Sequence, residues 1–190
     1  MDLSTVYGSS LSTSNSVRSF FRGGLRSSQG TSGRQNLPMS NGQFFAGEGR
    51  VNENMGLAGL QTLFLREHNR ISTGLSSVNP SWSDERIYME TRRILQAIYQ
   101  HITYNEYLPA TVGMSFTQGL GLLPQPANRF FEGYDPNVDP SMSNEFAGAA
   151  FRFGHSLIRN QINRFDGNGN RIGIPLNMSR IILNNAEVFK

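Results

Sequence analysis

The sequence predicts a mainly α-helical fold with long loops and little β-structure. Two segments, residues 53–73 and 83–104, carry apolar side chains at the three- and four-residue spacing that buries one side of a helix. The chain has 20 glycines in 190 residues and a hydrophobic content of 37%, which together indicate many loops between the helices. This length is enough for one ordinary domain, and the sequence shows no internal period typical of repeat proteins.

A long polar tract precedes the first strong helical pattern. Residues 9–43 consist mostly of Ser, Gly, Asn and Arg, which predicts a loop or a partly disordered segment. The one regular element expected within it is a short helix at 14–21, capped by Ser14 or Asn15.

The helix at 53–73 is predicted from four apolar residues at helical spacing, and Gly74 is expected to end it. Those four residues are Leu57, Leu60, Phe64 and Ile71. The same face includes His68, which favours packing and hydrogen bonding for this histidine over metal ligation.

The next helix has a strong start signal. Ser83 is a good N-cap. Asp84 and Glu85 place negative charges in the first turn, where they interact favourably with the helix dipole. The pattern runs to about residue 104, before a break at Leu108-Pro109. Its buried face is expected to contain Ile87, Ile94, Ile98 and Ile102.

The last third of the chain begins with a Gly/Pro-rich connection at 113–142, whose two Asp-Pro steps predict turns. A further helix is expected at 143–158. The run Asp166-Gly-Asn-Gly-Asn predicts a tight hairpin turn. It resembles the start of an EF-hand calcium loop, but the twelfth position from Asp166 is Asn177, where that loop needs a glutamate.

Composition excludes several classes of function. The net charge is +3 and the basic residues are interspersed with acids, so the chain has no basic stripe for nucleic acid. The absence of cysteine excludes disulfides, zinc-thiolate sites and cysteine nucleophiles within these residues. The apolar runs of these 190 residues are too short to span a membrane, and the first residues lack the features of a signal peptide.

Two places carry residues suited to chemistry. Arg50 and Glu53 lie three positions apart at a helix start, which puts them on one face, aimed at a common ligand or at each other as a capping ion pair. In the run Ala150-Phe-Arg-Phe-Gly-His155, Gly154 clears space beside the imidazole and Phe151 lies one helical turn back. That surface would suit a flat cofactor with His155 as a ligand, and the alternative is a histidine packed in a core.

The residues around both places resemble the animal haem peroxidases, the family of the peroxidasins, peroxinectins and myeloperoxidase. The run Ala46-Gly-Glu-Gly-Arg-Val-Asn-Glu53 is similar to the family's A-G-D-x-R-x-x-E, and it is followed by the family's R-E-H-N-R at 66–70. The run at 150–155 is similar to A-F-R-x-G-H. Further similarity lies at 5–9 and 104–113, so the resemblance covers nearly the whole chain.

The resemblance implies a haem-centred helical domain and assigns a role to each motif residue. His155 would be the proximal ligand of the haem iron, and Arg152 would pair with a haem propionate. Arg50 would be the catalytic distal arginine, whose guanidinium stabilises the negative charge that develops on the departing peroxide oxygen. Glu53 matches the glutamate that in mammalian members forms an ester to a haem methyl. This bond is not present in every relative.

The family also has a calcium site, and Asp2 and Ser4 fall on two of its ligand positions. Oxygen ligands of this kind suit a hard cation. The alternative is that Asp2 and Ser4 are frayed terminal residues.

By resemblance, residues 1–190 form part of a peroxidase domain. The expected layout is a loop-rich segment with a calcium-loop remnant at 1–45, distal-side helices at 46–112, the connection at 113–142, and the proximal-histidine helix with its following turn at 143–190. The family's distal histidine and the asparagine that bonds the proximal histidine have no match here. We therefore expect the central part of a catalytic domain, with little or no activity alone.

The function implied is a haem b peroxidase that reduces hydrogen peroxide and oxidises a halide, phenol or tyrosine-type donor. The full-length protein is expected to be extracellular or secreted, without nucleic-acid partners or a membrane span. The alternative is a non-catalytic, peroxidase-like extracellular interaction domain, for which Arg50 and His155 would be dispensable.

Overall fold

The computed structural model describes residues 1–30, 33–126 and 128–184. Helices dominate the described residues and the strands are short, which confirms the prediction of a mainly α fold with little β-structure. The α-helices are α1 (Ser4–Tyr7), α2 (Leu11–Val17), α3 (Met55–Val78), α4 (Asp84–Ile102), α5 (Leu108–Val112), α6 (Met114–Gly119), α7 (Asn144–Gly148) and α8 (Met178–Ile181). The strands are β1 (Ser28–Gln29), β2 (Gln35–Asn36), β3 (Met39–Ser40), β4 (Gln43–Phe44), β5 (Gln161–Phe165) and β6 (Arg171–Asn177).

The chain divides into two compact units. The first contains Met1–Leu123 and the described residues from Ile181 onward, and the second contains Pro124–Arg180. In the described residues the strands pair as antiparallel hairpins, β1 with β2, β3 with β4, and β5 with β6. No helix of the described residues is long and apolar enough to cross a membrane.

The core of the first unit lies between α3, α4 and the N-terminal residues that pack on them. Tyr7 and Leu95 are fully buried there, and Val51, which lies just before α3, is 1% exposed. Further buried members of this core are Leu3, Val6, Val17, Leu25, Leu37, Phe44, Ala58, Leu65 and Tyr88. The predicted loop region therefore contributes Val17, Leu25 and Leu37 to the core.

Helix α2 begins earlier than predicted, because Ser10 and not Ser14 or Asn15 provides the cap. The Ser10 hydroxyl accepts a hydrogen bond from the Thr13 N–H at 3.1 Å. It thereby satisfies one of the N–H groups that have no partner within the helix.

Helix α3 is capped by Asn54, whose side chain accepts from the Leu57 N–H at 3.1 Å. The prediction that Gly74 ends this helix is wrong, because α3 continues to Val78. A glycine inside a helix costs only about 1 kcal/mol, which neighbouring packing overrides. The buried face is also shifted from the predicted one, since Leu60 is 58% exposed. The fully buried residues of α3 are Ala58, Gln61, Leu65, His68 and Ser72, and the predicted Phe64 and Ile71 are partly buried against the core.

Helix α4 begins where predicted, with the Ser83 side chain accepting from the Arg86 N–H. Its buried face contains Ile87, Tyr88, Thr91 and Leu95, whereas Ile94 and Ile102 are exposed, contrary to prediction. The expected break at Leu108-Pro109 is absent. A π-helical turn at Thr103–Tyr107 leads directly into α5, whose first turn accommodates Pro109.

In the second unit, the helix predicted at 143–158 is divided. Ser143 caps α7, which ends at Gly148, and residues Ala150–Leu157 continue as a 3₁₀-helix. Large apolar residues of this segment are exposed, among them Phe151 at 60% and Leu157 at 69%.

The hairpin turn predicted at 166–170 is confirmed. It joins β5 and β6, with Phe165 opposite Arg171. The Asp166 carboxylate accepts hydrogen bonds from the N–H groups of Asn168 and Asn170 at 2.9 and 2.8 Å, which lowers the pKa of Asp166.

Candidate functional site

Arg50 lies in a single 3₁₀ turn, Gly49–Asn52, directly before α3. Its guanidinium is 75% exposed, and its Nε donates to a carboxylate oxygen of Glu48 at 3.0 Å. Among the described residues the ion-pair partner of Arg50 is thus Glu48, and the alternative of an Arg50–Glu53 capping pair is wrong. Glu53 is exposed and contacts Arg50 through the backbone, donating its N–H to the Arg50 carbonyl at 2.9 Å.

The turn that carries Arg50 is held at both ends. Val51 is 1% exposed, and the side chain of Asn52 hydrogen-bonds both backbone groups of Phe44. On the preceding side, Gly47 packs so closely on the backbone of residues 6–8 that a Cβ there would lie 2.5 Å from the Val6 carbonyl carbon. Asn52 and Gly47 were not predicted as site residues. The signal for them was their place in the motif at 46–53, which also contains Arg50 and Glu53.

His68 is fully buried and uses both ring nitrogens in hydrogen bonds. Its Nε2 lies 2.8 Å from the Gly23 carbonyl, which can only accept, so Nε2 carries the proton. The Tyr7 hydroxyl must then donate to Nδ1, also at 2.8 Å. Burial lowers the pKa of His68 to about 4. The prediction that His68 serves packing and hydrogen bonding is therefore confirmed.

The tyrosines beside His68 complete a buried aromatic cluster. Tyr7 meets Tyr88 edge to face, with ring centroids 6.1 Å apart, and burial raises the pKa of Tyr7. The guanidinium of Arg18 lies 4.0 Å above the Tyr88 ring and pairs with Asp84 and Glu85. These contacts fix the N-terminal residues on α4.

His155 lies in the 3₁₀-helix of the second unit and is exposed. Its Nδ1 lies 3.1 Å from the Arg152 carbonyl, so Nδ1 carries the proton and Nε2 has a free lone pair. The third histidine, His101, has both nitrogens close to the Asn105 amide, at 2.9 and 3.1 Å. Both nitrogens of the buried His68 are engaged in hydrogen bonds, so among the described residues the exposed histidines His101 and His155 are the ones that a metal could reach.

The 3₁₀ winding places Arg152 on the same face as His155, because residues three apart eclipse each other in a 3₁₀-helix. The Arg152 Nε donates to the Ala147 carbonyl at 3.3 Å. Phe151, expected on the face of His155, instead pairs with Phe146 at a centroid distance of 5.8 Å.

Asp2 and Ser4 meet at the N-terminus, where the Asp2 carboxylate accepts from the Ser4 N–H at 3.0 Å. This bond lowers the pKa of Asp2 and favours its charged form. Calcium takes six to eight oxygen ligands. No cluster of three or more His, Cys, Asp or Glu side chains suited to a metal occurs in the part of the chain that the structure describes.

The model of the animal haem peroxidase family matches residues 1–190, the whole chain. The chain belongs to the animal haem peroxidase family. Curated relatives include a chorion peroxidase of Aedes aegypti, 42% identical over 83% of this chain, and a human peroxidasin homolog, 40% identical over 88%. The fold of this haem peroxidase chain is similar to that of Peroxidase A from Dictyostelium discoideum, with a TM-score of 0.82 and 33% identity over 98% of the chain.

The haem peroxidase chain is short beside these proteins. It spans 21% of the chorion peroxidase, 12% of the peroxidasin homolog and 37% of the Dictyostelium peroxidase chain. Arg50 and Glu53 belong to the first unit, and Arg152 and His155 belong to the second.

Proposed function

We propose that this chain forms the haem-binding part of a peroxidase that reduces hydrogen peroxide and oxidises a small donor. The donor would be a halide, a phenol or a tyrosine-type compound. The observation that carries the proposal is the free Nε2 of His155 within the family's A-F-R-x-G-H run. Family membership and the names of the related peroxidases support the reaction class.

The residues around His155 fit a haem group. Exposed apolar side chains flank His155 in sequence, with Phe153 48% exposed and Leu157 69% exposed, and a flat apolar macrocycle would cover surface of this kind. Arg152, on the face of His155, offers a cation for a propionate. When bound, haem b would supply the iron at which peroxide is reduced.

The chain's own part on this side is to orient the imidazole of His155. The bond from Nδ1–H to the Arg152 carbonyl orients the ring and leaves Nε2 as the iron ligand. The same bond enriches the electron density of the ring and makes it a better donor.

Arg50 would act on the peroxide itself. Cleavage of the O–O bond puts negative charge on the departing oxygen, and a guanidinium placed beside it stabilises that charge without rearrangement. Glu53 would bind the haem rim, with an ester to a haem methyl as the covalent form. The family's distal histidine has no match among the chain's histidines, so we expect slow proton transfer and weak turnover in this chain by itself.

The remaining assignments rest on family membership. By family membership we assign distal-side roles to Arg50 and Glu53 and proximal-side roles to Arg152 and His155. The corresponding layout is a calcium-loop remnant in 1–45, distal helices in 46–112, a connection in 113–142 and the proximal segment in 143–190. Asp2 and Ser4 would supply two calcium ligands, and the full-length protein would be extracellular or secreted.

Hemin titration tests the proximal assignment. The chain should form a saturable complex with a shifted Soret band. His155→Ala should weaken hemin affinity by at least about tenfold, because the loss of a residue that only orients a metal ligand already costs that much. His101→Ala is the matched control, since it removes an exposed histidine hydrogen-bonded to Asn105. Equal affinity and spectra for His155→Ala and the wild type would disprove ligation by His155. Failure of the wild type to bind hemin would favour a non-catalytic interaction domain.

Peroxide-dependent oxidation of a phenol by the hemin complex tests the distal assignment. Arg50→Ala should lower the rate by at least about tenfold, because one removed oxyanion donor commonly costs more than that. Arg93→Ala is the control, since Arg93 is also exposed and pairs with a nearby carboxylate, that of Glu90. Equal rates for Arg50→Ala and Arg93→Ala would contradict the assignment.

A further inference from the structure

One side chain ties the Arg50 turn to the core of the first unit. The Asn52 Oδ1 accepts from the Phe44 N–H at 2.8 Å, and the Asn52 Nδ2 donates to the Phe44 carbonyl at 2.7 Å. The amide thus pairs with both backbone groups of one residue, as a neighbouring strand would.

Phe44 is a rigid point of attachment. Its side chain is 4% exposed in the hydrophobic core, and it pairs with Met39 in the β3–β4 hairpin. Through Asn52, the end of the turn is therefore fixed to a residue that cannot move without disturbing the core.

Arg50 itself has little to hold it. Its guanidinium is 75% exposed and its ion pair is with Glu48, two residues away in the same loop. Exposed pairs of this kind constrain a side chain weakly. What is held is the backbone from which the Arg50 side chain extends, because the buried Val51 and the hydrogen-bonded Asn52 fix the following positions.

We propose that Asn52 is the positioning residue for Arg50, holding the turn so that the guanidinium lies where charge develops on peroxide. The inference rests on the proposed distal role of Arg50. A preorganised cation loses much of its effect when it shifts by about 1 Å, so the two hydrogen bonds to Phe44 matter to the chemistry and not only to the fold. Aspartate could accept from the Phe44 N–H but could not donate to its carbonyl.

The chain contains a matched control for the paired hydrogen bonds between Asn52 and Phe44. Asn69 on α3 bonds the N–H of Leu25 at 2.8 Å and the carbonyl of Leu25 at 3.2 Å. Asn69→Ala therefore removes the same kind of paired hydrogen bonds to the backbone of a buried residue, together with one bond to the Gln35 side chain, without touching the Arg50 turn.

The first test needs no haem. Backbone ¹⁵N relaxation in the full chain should show a lower order parameter for the Arg50 amide in Asn52→Ala, falling from about 0.85 toward the flexible range below about 0.6. Asn69→Ala should leave this amide as rigid as in the wild type. An Arg50 amide that stays rigid in Asn52→Ala would overturn the proposal.

The second test uses cyanide binding to the ferric hemin complex, because a cation near the iron stabilises a bound anion. Arg50→Ala should weaken cyanide binding by about tenfold, the value of one charge-assisted hydrogen bond. Asn52→Ala should cause a similar loss in the wild-type background but almost none in Arg50→Ala, since the two residues act as one unit. Asn52→Asp should recover only part of the loss.

The outcomes separate the two hypotheses. If Arg50→Ala leaves cyanide affinity unchanged, the distal role of Arg50 fails, while the relaxation data still decide whether Asn52 orders the turn. If Arg50→Ala weakens cyanide binding and Asn52→Ala does not, Asn52 is not the positioning residue. Equal and additive losses from Asn52→Ala and Asn69→Ala would show a structural role alone.

Discussion

Acidification from pH 7 to pH 4 should destabilise the chain through one buried histidine, His68. Burial is the main cause that holds its pKa at about 4, below the ordinary 6.5, and the charge of Arg18 acts in the same direction. Between these pH values the unfolded chain binds the proton and the folded chain does not. Stability contributed by neutral His68 is therefore complete above about pH 6.5 and is lost as the pH falls toward 4.

The magnitude follows from the width of this window. Each pH unit within it changes the free energy of unfolding by about 1.4 kcal/mol, so the loss approaches about 3 kcal/mol at pH 4. A loss of this size is a large fraction of the stability of an ordinary domain. The hydrogen bond to the Gly23 carbonyl raises the pKa of His68 and so opposes the effect of burial without cancelling it.

Urea unfolding followed by circular dichroism at a series of pH values measures the effect. The control is His68→Gln, whose amide can accept from the Tyr7 hydroxyl and donate to Gly23 without titrating. Carboxylates with lowered pKa values, such as Glu67 beside Arg70, titrate in both proteins, so the difference between the two curves isolates His68. Parallel curves for wild type and His68→Gln between pH 6.5 and 4 would refute the reasoning.

Three further predictions concern the fold around the site. Gly47→Ala should destabilise the chain by several kcal/mol in urea unfolding, because the new Cβ would meet the backbone at Tyr7 at 2.7 Å; normal stability would show that the loop has room to move. Gly74→Ala should stabilise it by about 0.5–1 kcal/mol, since no atom lies within 4 Å of the added Cβ on an exposed helix surface; a loss of stability would contradict this. Leu95→Ala should cost about 2–5 kcal/mol because Leu95 is fully buried, and the exposed Ile94→Ala serves as the control, which should cost much less.

The start of helix α4 was predictable because its signals are local. Ser83 and the acids after it act within one turn, and no distant residue is needed to satisfy the first N–H groups. The hairpin at 166–170 was predictable for the same reason, since Asp166 bonds the backbone of its own turn.

The buried faces were only partly predictable, because the neighbours that cover them come from distant parts of the chain. Ile87 is buried as predicted, and Phe64, Ile71 and Ile98 pack against the core. On α4, Thr91 is buried and Ile94 is exposed, since α3 and the residues around Tyr7 pack on one face only. On α3, the polar side chain of His68 occupies the core because Tyr7 and Gly23 satisfy both of its nitrogens. Apolar spacing alone pointed to Leu60, which lies on the exposed side.

The candidate site shows the same division. The motif residues Arg50, Glu53, Arg152 and His155 could be named from sequence, because chemistry of this class needs those residue types in those runs. Their roles stay proposals that the hemin and cyanide measurements test. The structure added the partners, namely Glu48 for Arg50 and the Arg152 carbonyl for His155.

The sequence by itself determined the family and the helical character, because these depend on motif residues and local spacing, and it proposed the residues for haem chemistry. Only the tertiary structure decided which histidine has both nitrogens bonded in the core, which carboxylate pairs with Arg50 and which asparagine bonds the end of its turn. Those properties depend on hydrogen-bond partners as far apart in sequence as Tyr7 and His68, and such partners are brought together only by folding.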